Sequence, residues 1–518
     1  MARFLVVLGT TSHSGKSTLV AALCRLLSDR GYRVAPFKSQ NMSLNSWVTK
    51  NGSEIGIAQA VQAWAARAEP TEFMNPILLK PKGDRTSQVI VLGRPVADRS
   101  AEQYYREIED LKGIVDRSVE ELEKEYDFIV VEGAGGAAEI NLFDRDIANI
   151  YVARLLKAPI ILVGDIERGG VFASLFGTVA LLPPDIRPLV RGLVINKFRG
   201  DPAILGTGMQ SLEELTGVPV LGVLPYLDLD IPSEDSVSLG DKGRQGGRSG
   251  SGRAEAGGGQ VEIAVIRLPR ISNFTDFEPL ERQARVRYVG LSEPLGTPDA
   301  VIIPGTKNTI SDLMEMEEKG MAGRIRALSG TPVLGICGGY QMLGKEIIDC
   351  GIEETEGTFP GLGLLDATTR FDLYEKRTVQ VKKRVTGGGP ILEPIRGQEV
   401  TGYEIHMGMT EPRGKKAFDD DGAVSEDGLV IGTYLHGIFE NDNFRTAFLN
   451  FLRHSRAKKP ASSVGVADAP PEKEAAAERE REDAFSELAG AVQANLDMPR
   501  IWRMLDLGQE QDLHSDGL

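Results

Sequence analysis

The sequence is poor in residues that commonly carry covalent or metal chemistry. Its 518 residues include only three cysteines, Cys24, Cys337 and Cys350, and five histidines. The cysteines have no CxxC spacing, so the sequence excludes a disulfide framework and a cysteine-based zinc site. The scarcity of cysteine indicates a reducing compartment, and we expect a cytoplasmic protein.

Long apolar runs and an excess of positive charge are also missing. No stretch of about 20 apolar residues exists for a membrane-spanning helix, and the start, MARFLVVLGTTSHSGKS, lacks the cleavage region of a signal peptide. The formal net charge is -15, which disfavours a general affinity for nucleic acid or anionic lipid. We therefore expect neither a nucleic acid nor a membrane as a partner.

What the sequence does contain is two series of short apolar runs. The first series occupies residues 4–8, 128–136, 159–165 and 192–198, and the second begins at residue 261. Such runs, bounded by glycine loops and alternating with helical segments, predict an α/β fold with a parallel, doubly wound sheet. Ligands of such a sheet bind at the carboxyl ends of its strands.

Composition divides the chain into four segments. We predict an N-terminal α/β domain at residues 1–239, a flexible Gly-rich linker at 240–259, a second α/β domain at 260–455 and a polar tail at 456–518. For the tail, disorder and a solvated helix are both open. The length agrees with more than one domain, because a single core rarely grows beyond about 300 residues.

The first glycine loop has the features of a phosphate-binding loop. GTTSHSGKS, at residues 9–17, lies between a strand and a helical segment, as a P-loop does. We predict a nucleotide as the ligand, with Lys16 at the β- and γ-phosphates and the Ser17 hydroxyl at Mg²⁺. A glycine-rich turn with a chance GKS is the alternative. The predicted nucleotide-binding residues of this segment are Gly9, Thr10, Gly15, Lys16, Ser17 and Thr18.

A second glycine-rich turn surrounds one cysteine. In GICGGYQMLG, at residues 335–344, Cys337 follows an apolar strand and precedes a helical segment. This is the geometry of a nucleophile elbow, in which flanking glycines permit unusual backbone angles and the Gly338 N–H can stabilise an oxyanion. The helix N terminus favours the thiolate. We predict that Cys337 is a nucleophile, whereas Cys24 and Cys350 are structural.

A thiolate nucleophile needs a base, and the histidines offer few candidates. His436 follows a strand in the same α/β unit, so we predict that it is the base. For His406 we favour a structural or substrate-side role. The remaining histidines lie in the phosphate loop or in polar C-terminal segments, at His13, His454 and His514.

These motifs resemble two known families. The order strand–Cys–helix and then strand–His is similar to class I glutamine amidotransferases; that resemblance implies that Gly305 and Thr306, in PGT, supply oxyanion N–H groups with Gly338. Most members of that class have Glu where this chain has Ile438. The phosphate loop and VEGAGG, at 131–136, resemble dethiobiotin synthetase-like ATPases. This second resemblance implies that Glu132 holds Mg²⁺ with Ser17, and that Asn196 lies at the adenine.

The presence of both halves in this order resembles the cobyrinate-type amidotransferases. The segments that resemble the adenosylcobyric acid synthase family within this group are FKSQNMSLNS, KPKGDRTSQVIVLG, LVGDIERGGVFASL, IIPGTKNT and GYEIHMG. The resemblance implies an N-terminal amidoligase domain and a C-terminal glutamine amidotransferase domain.

That resemblance also implies a reaction. L-Glutamine supplies ammonia, and ATP–Mg²⁺ activates the b, d, e and g carboxylates of adenosylcobyrinic acid a,c-diamide, a corrinoid of cobalamin (vitamin B12) biosynthesis. The substrate is expected near the polar residues after the second strand, Lys38, Gln40, Asn41 and Asn45. A shielded ammonia path further requires that the two domains pack together.

Three alternatives stay open at this point. Cobyrinic acid a,c-diamide synthase performs the same chemistry at two other carboxylates. A partitioning-type P-loop ATPase shares this form of the phosphate loop, which has five residues between Gly9 and Gly15 where the usual P-loop has four, but it does not need Cys337 and His436. A corrin-binding or scaffold protein with inactive sites is the third reading.

Overall fold

The computed structural model describes residues 2–83, 85–227, 260–353, 356–457 and 474–507. We call residues 2–227 the N-terminal unit and residues 260–457 the C-terminal unit. The linker predicted at 240–259 lies outside the described residues.

The N-terminal unit contains twelve strands and seven helices among its described residues. The strands are β1 Arg3–Gly9, β2 Val34–Phe37, β3 Gln40–Met42, β4 Ser46–Val48, β5 Glu54–Gly56, β6 Ile77–Pro81, β7 Thr86–Val91, β8 Arg94–Ser100, β9 Phe128–Glu132, β10 Ile160–Asp165, β11 Val190–Phe198 and β12 Val220–Pro225. The helices are α1 Lys16–Asp29, α2 Ile57–Ala65, α3 Ala101–Arg106, α4 Ile108–Glu125, α5 Ile150–Leu156, α6 Val171–Leu181 and α7 Gly206–Thr216.

Six of these strands form a parallel sheet in the order β12-β11-β10-β1-β9-β2. Its strands are apolar throughout because both faces are covered. In β1, Val6 and Leu8 pack with helices α4 to α7, while Leu5 and Val7 pack with α1 and α2. The carboxyl ends of β1, β2 and β9 meet at one edge, which brings the phosphate loop, Lys38 and Glu132 together.

The smaller strands of this unit lie between β2 and α4. They form a four-stranded sheet, β3-β6-β7-β8, and the antiparallel pair β4-β5. This insertion contacts the C-terminal unit: Gln88 of β7 donates a hydrogen bond to the Tyr374 hydroxyl, and the Val48 carbonyl of β4 accepts one from Gln380. It therefore positions one unit against the other.

The C-terminal unit contains fourteen strands and five helices in its described part. The strands are β13 Glu262–Arg267, β14 Ile271–Ser272, β15 Arg285–Gly290, β16 Ala300–Ile303, β17 Gly305–Thr306, β18 Val333–Ile336, β19 Glu346–Asp349, β20 Gly357–Pro360, β21 Ala367–Phe371, β22 Lys376–Arg384, β23 Glu399–Met407, β24 Met409–Pro412, β25 Ala423–Val424 and β26 Val430–Thr433. The helices are α8 Glu278–Glu281, α9 Thr309–Glu318, α10 Met321–Arg326, α11 Gly338–Leu343 and α12 Asp442–Ala457.

The central sheet of this unit has the order β15-β13-β16-β18-β26-β25, parallel except for β25. Strands β19, β20, β21 and β24 form a second sheet, and the long pair β22-β23 forms a third. Two α/β units with parallel sheets confirm the predicted fold class.

The segment 474–507 forms a further layer on the N-terminal unit. It contains helices α13 Glu474–Asn495 and α14 Met498–Met504. Phe485, Val492 and Trp502 share a buried core with α1, and Arg25 of α1 forms a 2.7 Å ion pair with Glu482. The sequence analysis predicted a polar tail at 456–518 and did not predict this layer. The few apolar residues at helical spacing lie among many charged residues, so the segment looks polar as a whole. The segment boundaries stay predictions.

No helix in the described part of the chain is both long enough and apolar enough to cross a membrane.

Candidate active sites

Cys337 lies at a strained turn between β18 and α11. Its φ of 53° is in the left-handed region, which a residue with a side chain rarely adopts. The adjacent glycines permit a close approach to the loop after β16: a Cβ on Gly339 would lie 2.0 Å from the Ile303 carbonyl oxygen, and one on Gly338 would lie 2.7 Å from Cγ2 of Thr306. The structure thus places the thiol at the kind of turn that the sequence predicted.

His436 lies beside this thiol and is held by a residue that the sequence analysis missed. The imidazole and the Cys337 thiol line the same cavity, and the imidazole Nδ1 lies 2.7 Å from Oδ2 of Asp276. The thiol itself donates to the Ile405 carbonyl at 3.4 Å. Oδ1 of the same carboxylate accepts the Gly437 N–H at 2.9 Å. Tyr403 stacks on the imidazole with a 5.4 Å centroid separation. Asp276 therefore provides a carboxylate beside the imidazole, which Ile438 cannot supply.

The electrostatic surroundings favour the charged form of His436. Burial lowers the pKa of the imidazole, but the Asp276 carboxylate and the contact with Cys337 outweigh this, so the pKa is raised from 6.5 to about 10. At neutral pH His436 therefore holds a proton that it can donate to a leaving amine.

Asp276 was hard to find because it precedes His436 by 160 residues. It lies in the short 3₁₀ turn Phe274–Phe277, where it is buried between two phenylalanines. An acidic residue inside an apolar turn is the signal that the sequence offered, since an isolated buried carboxylate is costly.

The predicted oxyanion loop reaches the same place. Thr306 N lies 3.1 Å from where a Cβ of Gly338 would be, and a Cβ on Gly305 would lie 3.2 Å from Cε1 of His436. The Thr306 hydroxyl is fixed by the Asp312 carboxylate and the Arg270 carbonyl. Thr306 thus lies beside the turn that contains Cys337, and Gly305 lies beside His436.

His406 lines the small cavity beside Cys337, but its ring already contacts other groups. Its Nδ1 lies 3.0 Å from the Gly408 carbonyl oxygen, and the ring stacks on Tyr434 at 3.6 Å. This agrees with the structural role favoured for it.

The second candidate site lies at the phosphate loop, where a cavity of about 840 Å³ opens. Gly15, at a φ of 95°, and Lys16, Ser17 and Thr18 line it; Gly9 and Thr10 lie at the end of β1, where a Cβ on Gly9 would be 2.4 Å from Ser14 Oγ. Lys16 Nζ donates to the Gly135 and Thr11 carbonyls at 2.8 and 3.0 Å.

Glu132 gathers donors at the floor of this cavity. Its Oε1 accepts the Ser17 hydroxyl at 2.8 Å and Lys38 Nζ at 2.9 Å, and its Oε2 accepts Gln62 Nε2. The buried Oε1 of Gln62 has no partner among the described residues. Hydroxyl and carboxylate oxygens are ligands that Mg²⁺ prefers. Ser17 and Glu132 therefore fit the predicted metal site.

The predicted substrate residues divide into two groups. Lys38, Gln40 and Asn41 line the large cavity, together with Met42, which is 55% exposed. Asn45 does not line it; its Oδ1 accepts the Phe274 N–H across the boundary between the units.

Asn196 also lies elsewhere than predicted. Its Nδ2 donates to the Ser14 carbonyl at 2.9 Å, and a Cβ on Gly15 would overlap this amide at 1.9 Å. The side chain braces the phosphate loop from behind and does not line the cavity, so the geometry does not favour an adenine contact.

A buried ion cluster joins the two units. Glu54 of β5 is fully buried; Oε1 pairs with Lys80 of β6 at 2.7 Å, and Oε2 pairs with Lys376 of β22. Burial lowers the pKa of Lys376 to about 8, although Glu54 opposes this shift. Lys80 and Lys376 also line the small cavity of about 50 Å³ beside Cys337. The two units therefore pack together, as the sequence analysis expected, and residues of both units line the cavity beside the thiol.

Comparisons with known proteins agree with this arrangement. The family model described as the CobQ/CobB/MinD/ParA nucleotide binding domain matches residues 5–236, and the CobB/CobQ-like glutamine amidotransferase domain matches residues 262–444.

Several relatives with the name probable cobyric acid synthase match nearly the whole chain. That of Methanosarcina mazei is 59% identical over 96% of this chain and 98% of its own length. Those of Methanosarcina barkeri and Methanococcoides burtonii are each 58% identical, over 97% and 98% of this chain and 99% and 98% of their own lengths.

Proposed function

The chain belongs to the cobyric acid synthase family of glutamine amidotransferases, and from this premise we propose that it amidates the b, d, e and g carboxylates of adenosylcobyrinic acid a,c-diamide. The product is adenosylcobyric acid, an intermediate of cobalamin biosynthesis. ATP activates each carboxylate, and L-glutamine supplies the nitrogen. The observation that carries this proposal is the buried arrangement of Cys337, His436 and Asp276. It lies in the same chain as a phosphate loop, and residues of the unit with that loop line its cavity.

The glutaminase step uses the C-terminal unit. The Cys337 thiolate attacks the side-chain carbonyl carbon of glutamine, and N–H groups at Gly338 and Thr306 stabilise the oxyanion. The C–N bond then breaks, and His436 gives its proton to the departing ammonia. Water, deprotonated by His436, hydrolyses the resulting thioester to glutamate and the thiol. Asp276 keeps the imidazole oriented through both steps, as its 2.7 Å contact with Nδ1 supports.

The ligase step uses the large cavity of the N-terminal unit. Backbone N–H groups of the phosphate loop and Lys16 bind the ATP phosphates, and Ser17 and Glu132 are the residues that would hold Mg²⁺. The ion supplies charge neutralisation at the phosphates when bound. A substrate carboxylate beside Lys38 takes the γ-phosphoryl group, which forms an acyl phosphate and ADP. Ammonia then attacks the acyl carbon, and phosphate leaves.

Three features support the corrinoid as the substrate in this cavity. A volume of about 840 Å³ exceeds the needs of a small carboxylic acid. Met42 offers an exposed apolar surface at its wall, suited to a macrocycle. Lys38, Gln40 and Asn41 offer polar groups for peripheral carboxylates and amides.

The test compares two nitrogen sources in Cys337→Ser. With glutamine, we expect amidation to fall by about 10³-fold or more, since the nucleophile is removed; with a high concentration of ammonium, it should continue at a rate close to that of the unmodified protein. Each amidation replaces a hydroxyl with an amino group, so mass spectrometry of the corrinoid counts the amides formed. Cys350→Ser, at an exposed cysteine outside both sites, is the matched control.

The outcomes separate the alternatives. Four amidations of the a,c-diamide support the proposal. Two amidations of a corrinoid that lacks amides would instead indicate cobyrinic acid a,c-diamide synthase. Loss of ammonium-dependent activity in Cys337→Ser would contradict a separate ammonia source.

A further inference from the structure

Charged side chains from both units surround the cavity beside Cys337. Lys82 follows β6 of the N-terminal unit, and its Nζ donates to the Glu353 carbonyl at 3.3 Å and to Asp98 at 2.7 Å. Lys307 follows the oxyanion loop, and its Nζ donates to Oε1 of Gln88. The carboxylate of Glu353 accepts the Ile310 N–H at 3.0 Å. Lys82, Lys307 and Glu353 all line the cavity that also contains Cys337 and His436.

These three charges have no part in the cysteine chemistry. Thiolate formation, oxyanion stabilisation and proton transfer are assigned to other residues, and the phosphate loop lies at a different cavity. Retaining buried charges without a use is costly. Their signs are mixed: two are cations and one is a carboxylate, and Lys80 and Lys376 add two further cations to the lining of the same cavity.

Burial opposes the ionised forms of two members of this cluster. Burial and the neighbouring lysines lower the pKa of Lys307 well below its usual range. Burial raises the pKa of Glu353 to about 7, although the Ile310 N–H and the two lysines oppose this. A ligand that brings both a carboxylate and an ammonium group would stabilise the ionised forms of Lys307 and Glu353.

We propose that Lys82, Lys307 and Glu353 bind the α-amino acid end of L-glutamine, with the lysines at its α-carboxylate and Glu353 at its α-ammonium group. The inference rests on the proposed function, because it takes glutamine as the substrate of Cys337. With its amide at the thiol, the zwitterionic end of glutamine points along the cavity wall that these residues form. A volume of about 50 Å³ is too small for the whole molecule, so their side chains move apart as it enters.

The proposed glutamine site includes a residue from each unit. Lys82 belongs to the N-terminal unit, and its carbonyl accepts Arg270 Nε of the C-terminal unit at 3.1 Å. The glutamine site is therefore complete only while the two units are docked. The N-terminal unit thereby controls whether glutamine is held for hydrolysis.

The experiment measures glutamate release and its glutamine KM in Lys82→Met and Glu353→Gln. Removing one charge-assisted hydrogen bond to a buried ligand weakens its affinity by about 10- to 100-fold, so we expect the KM to rise by that factor while kcat changes little. Arg94→Met, at an exposed cation on β8, should leave the KM unchanged. An unchanged glutamine KM in Lys82→Met would overturn the proposal.

Two analogues of glutamine test the assignment without a change to Lys82, Lys307 or Glu353. Calorimetric titration of Cys337→Ser, which lacks the nucleophile and so does not hydrolyse its ligand, compares L-glutamine with glutaramic acid, which lacks the ammonium group, and with 4-aminobutanamide, which lacks the carboxylate. We expect each analogue to bind at least about 10-fold more weakly; equal binding would refute the assignment. Lys82→Arg, which keeps the charge, should recover part of the affinity that Lys82→Met removes. Because binding and glutamate release need no corrinoid, these results stay interpretable even if the proposed amidation fails.

Discussion

The two candidate active sites differ in the room they leave and in how far their polar groups are already paired. At the phosphate loop, about 840 Å³ is open and Gln62 Oε1 is unsatisfied among the described residues. Beside Cys337 only about 50 Å³ remains, and His436 and Asp276 are already hydrogen bonded. A small cavity suits one small substrate, which enters as the lining side chains move apart, whereas a larger cavity suits a nucleotide and a large second substrate.

A buried ion cluster lies at the boundary between the two units, next to the small site. Glu54, Lys80 and Lys376 connect the units next to the small cavity, which supports the proposal that nitrogen released there is retained within the protein. The following variants separate the two sites, in order of decreasing effect on catalysis.

Lys16→Ala should affect the large site alone. Removing the cation from the phosphates should lower corrinoid amidation by about 10³-fold with either nitrogen source. Glutamate release should persist, because Lys16 is remote from Cys337. Parallel assays of glutamate and of corrinoid mass measure this, with the surface variant Lys124→Ala as control. Full amidation by Lys16→Ala would disprove the nucleotide assignment.

Asp276→Asn should affect the small site alone. Without the carboxylate the imidazole loses its orientation and its charge stabilisation, and glutamine-dependent turnover should fall by about 10²- to 10³-fold. Ammonium-dependent amidation should be unchanged. If both activities fell together, Asp276 would be a structural residue only.

The pH dependence of the small site follows from His436. Its pKa in the folded protein, about 10, lies above the ordinary value of 6.5, so its pairing with Asp276 stabilises the fold fully below pH 6.5 and progressively less as the pH rises toward 10. Asp276→Asn should therefore flatten the decline of unfolding free energy over this interval, measured by denaturant titration at several pH values. An identical pH profile in the variant would contradict the charged pair.

Lys376→Met should weaken the boundary between the sites. Glu54 would lose one of its two cations in a buried setting, which costs about 3–5 kcal/mol of stability. Looser docking should let ammonia escape, so glutamate release should exceed amide formation. The double variant Glu54→Gln/Lys376→Met should lose less stability than the sum of the single changes. Equal yields of glutamate and amide in Lys376→Met would exclude the cluster from ammonia retention.

Phe485→Ala should have the smallest effect on catalysis. The ring is buried against α1 in the same core as Trp502, so its removal should cost about 3–5 kcal/mol of stability. Activity at moderate temperature should be nearly unchanged, because the layer lies away from both sites. Thermal unfolding measures the loss, and exposed Glu487→Ala is the control. No change in Tm would argue that the helices detach in solution.

Much of both sites was predictable because the relevant signals are local. GTTSHSGKS and GICGGYQMLG each encode a strand, a tight turn and a helix start within about ten residues, and such turns demand particular backbone angles. The order of the apolar runs likewise indicated two parallel sheets. The geometry agrees with these predictions around Lys16, Ser17, Cys337 and His436, whose catalytic roles stay proposals.

Other features could not be predicted, because they depend on contacts between distant segments. Asp276 lies 160 residues from its imidazole, and Asn45 looked like a substrate residue until its partner proved to be Phe274 of the other unit. Asn196 follows a strand as an adenine-binding residue would, yet its amide braces the phosphate loop.

The sequence by itself determined the two α/β units, their order, the phosphate loop and the cysteine elbow, since each follows from local apolar spacing and local steric limits on the backbone. The tertiary structure alone decided which carboxylate holds His436, which charges line the cavity beside Cys337, and where the helices of residues 474–507 pack. Those outcomes depend on the burial of charge and apolar surface between segments remote in the chain, and no local pattern records such burial.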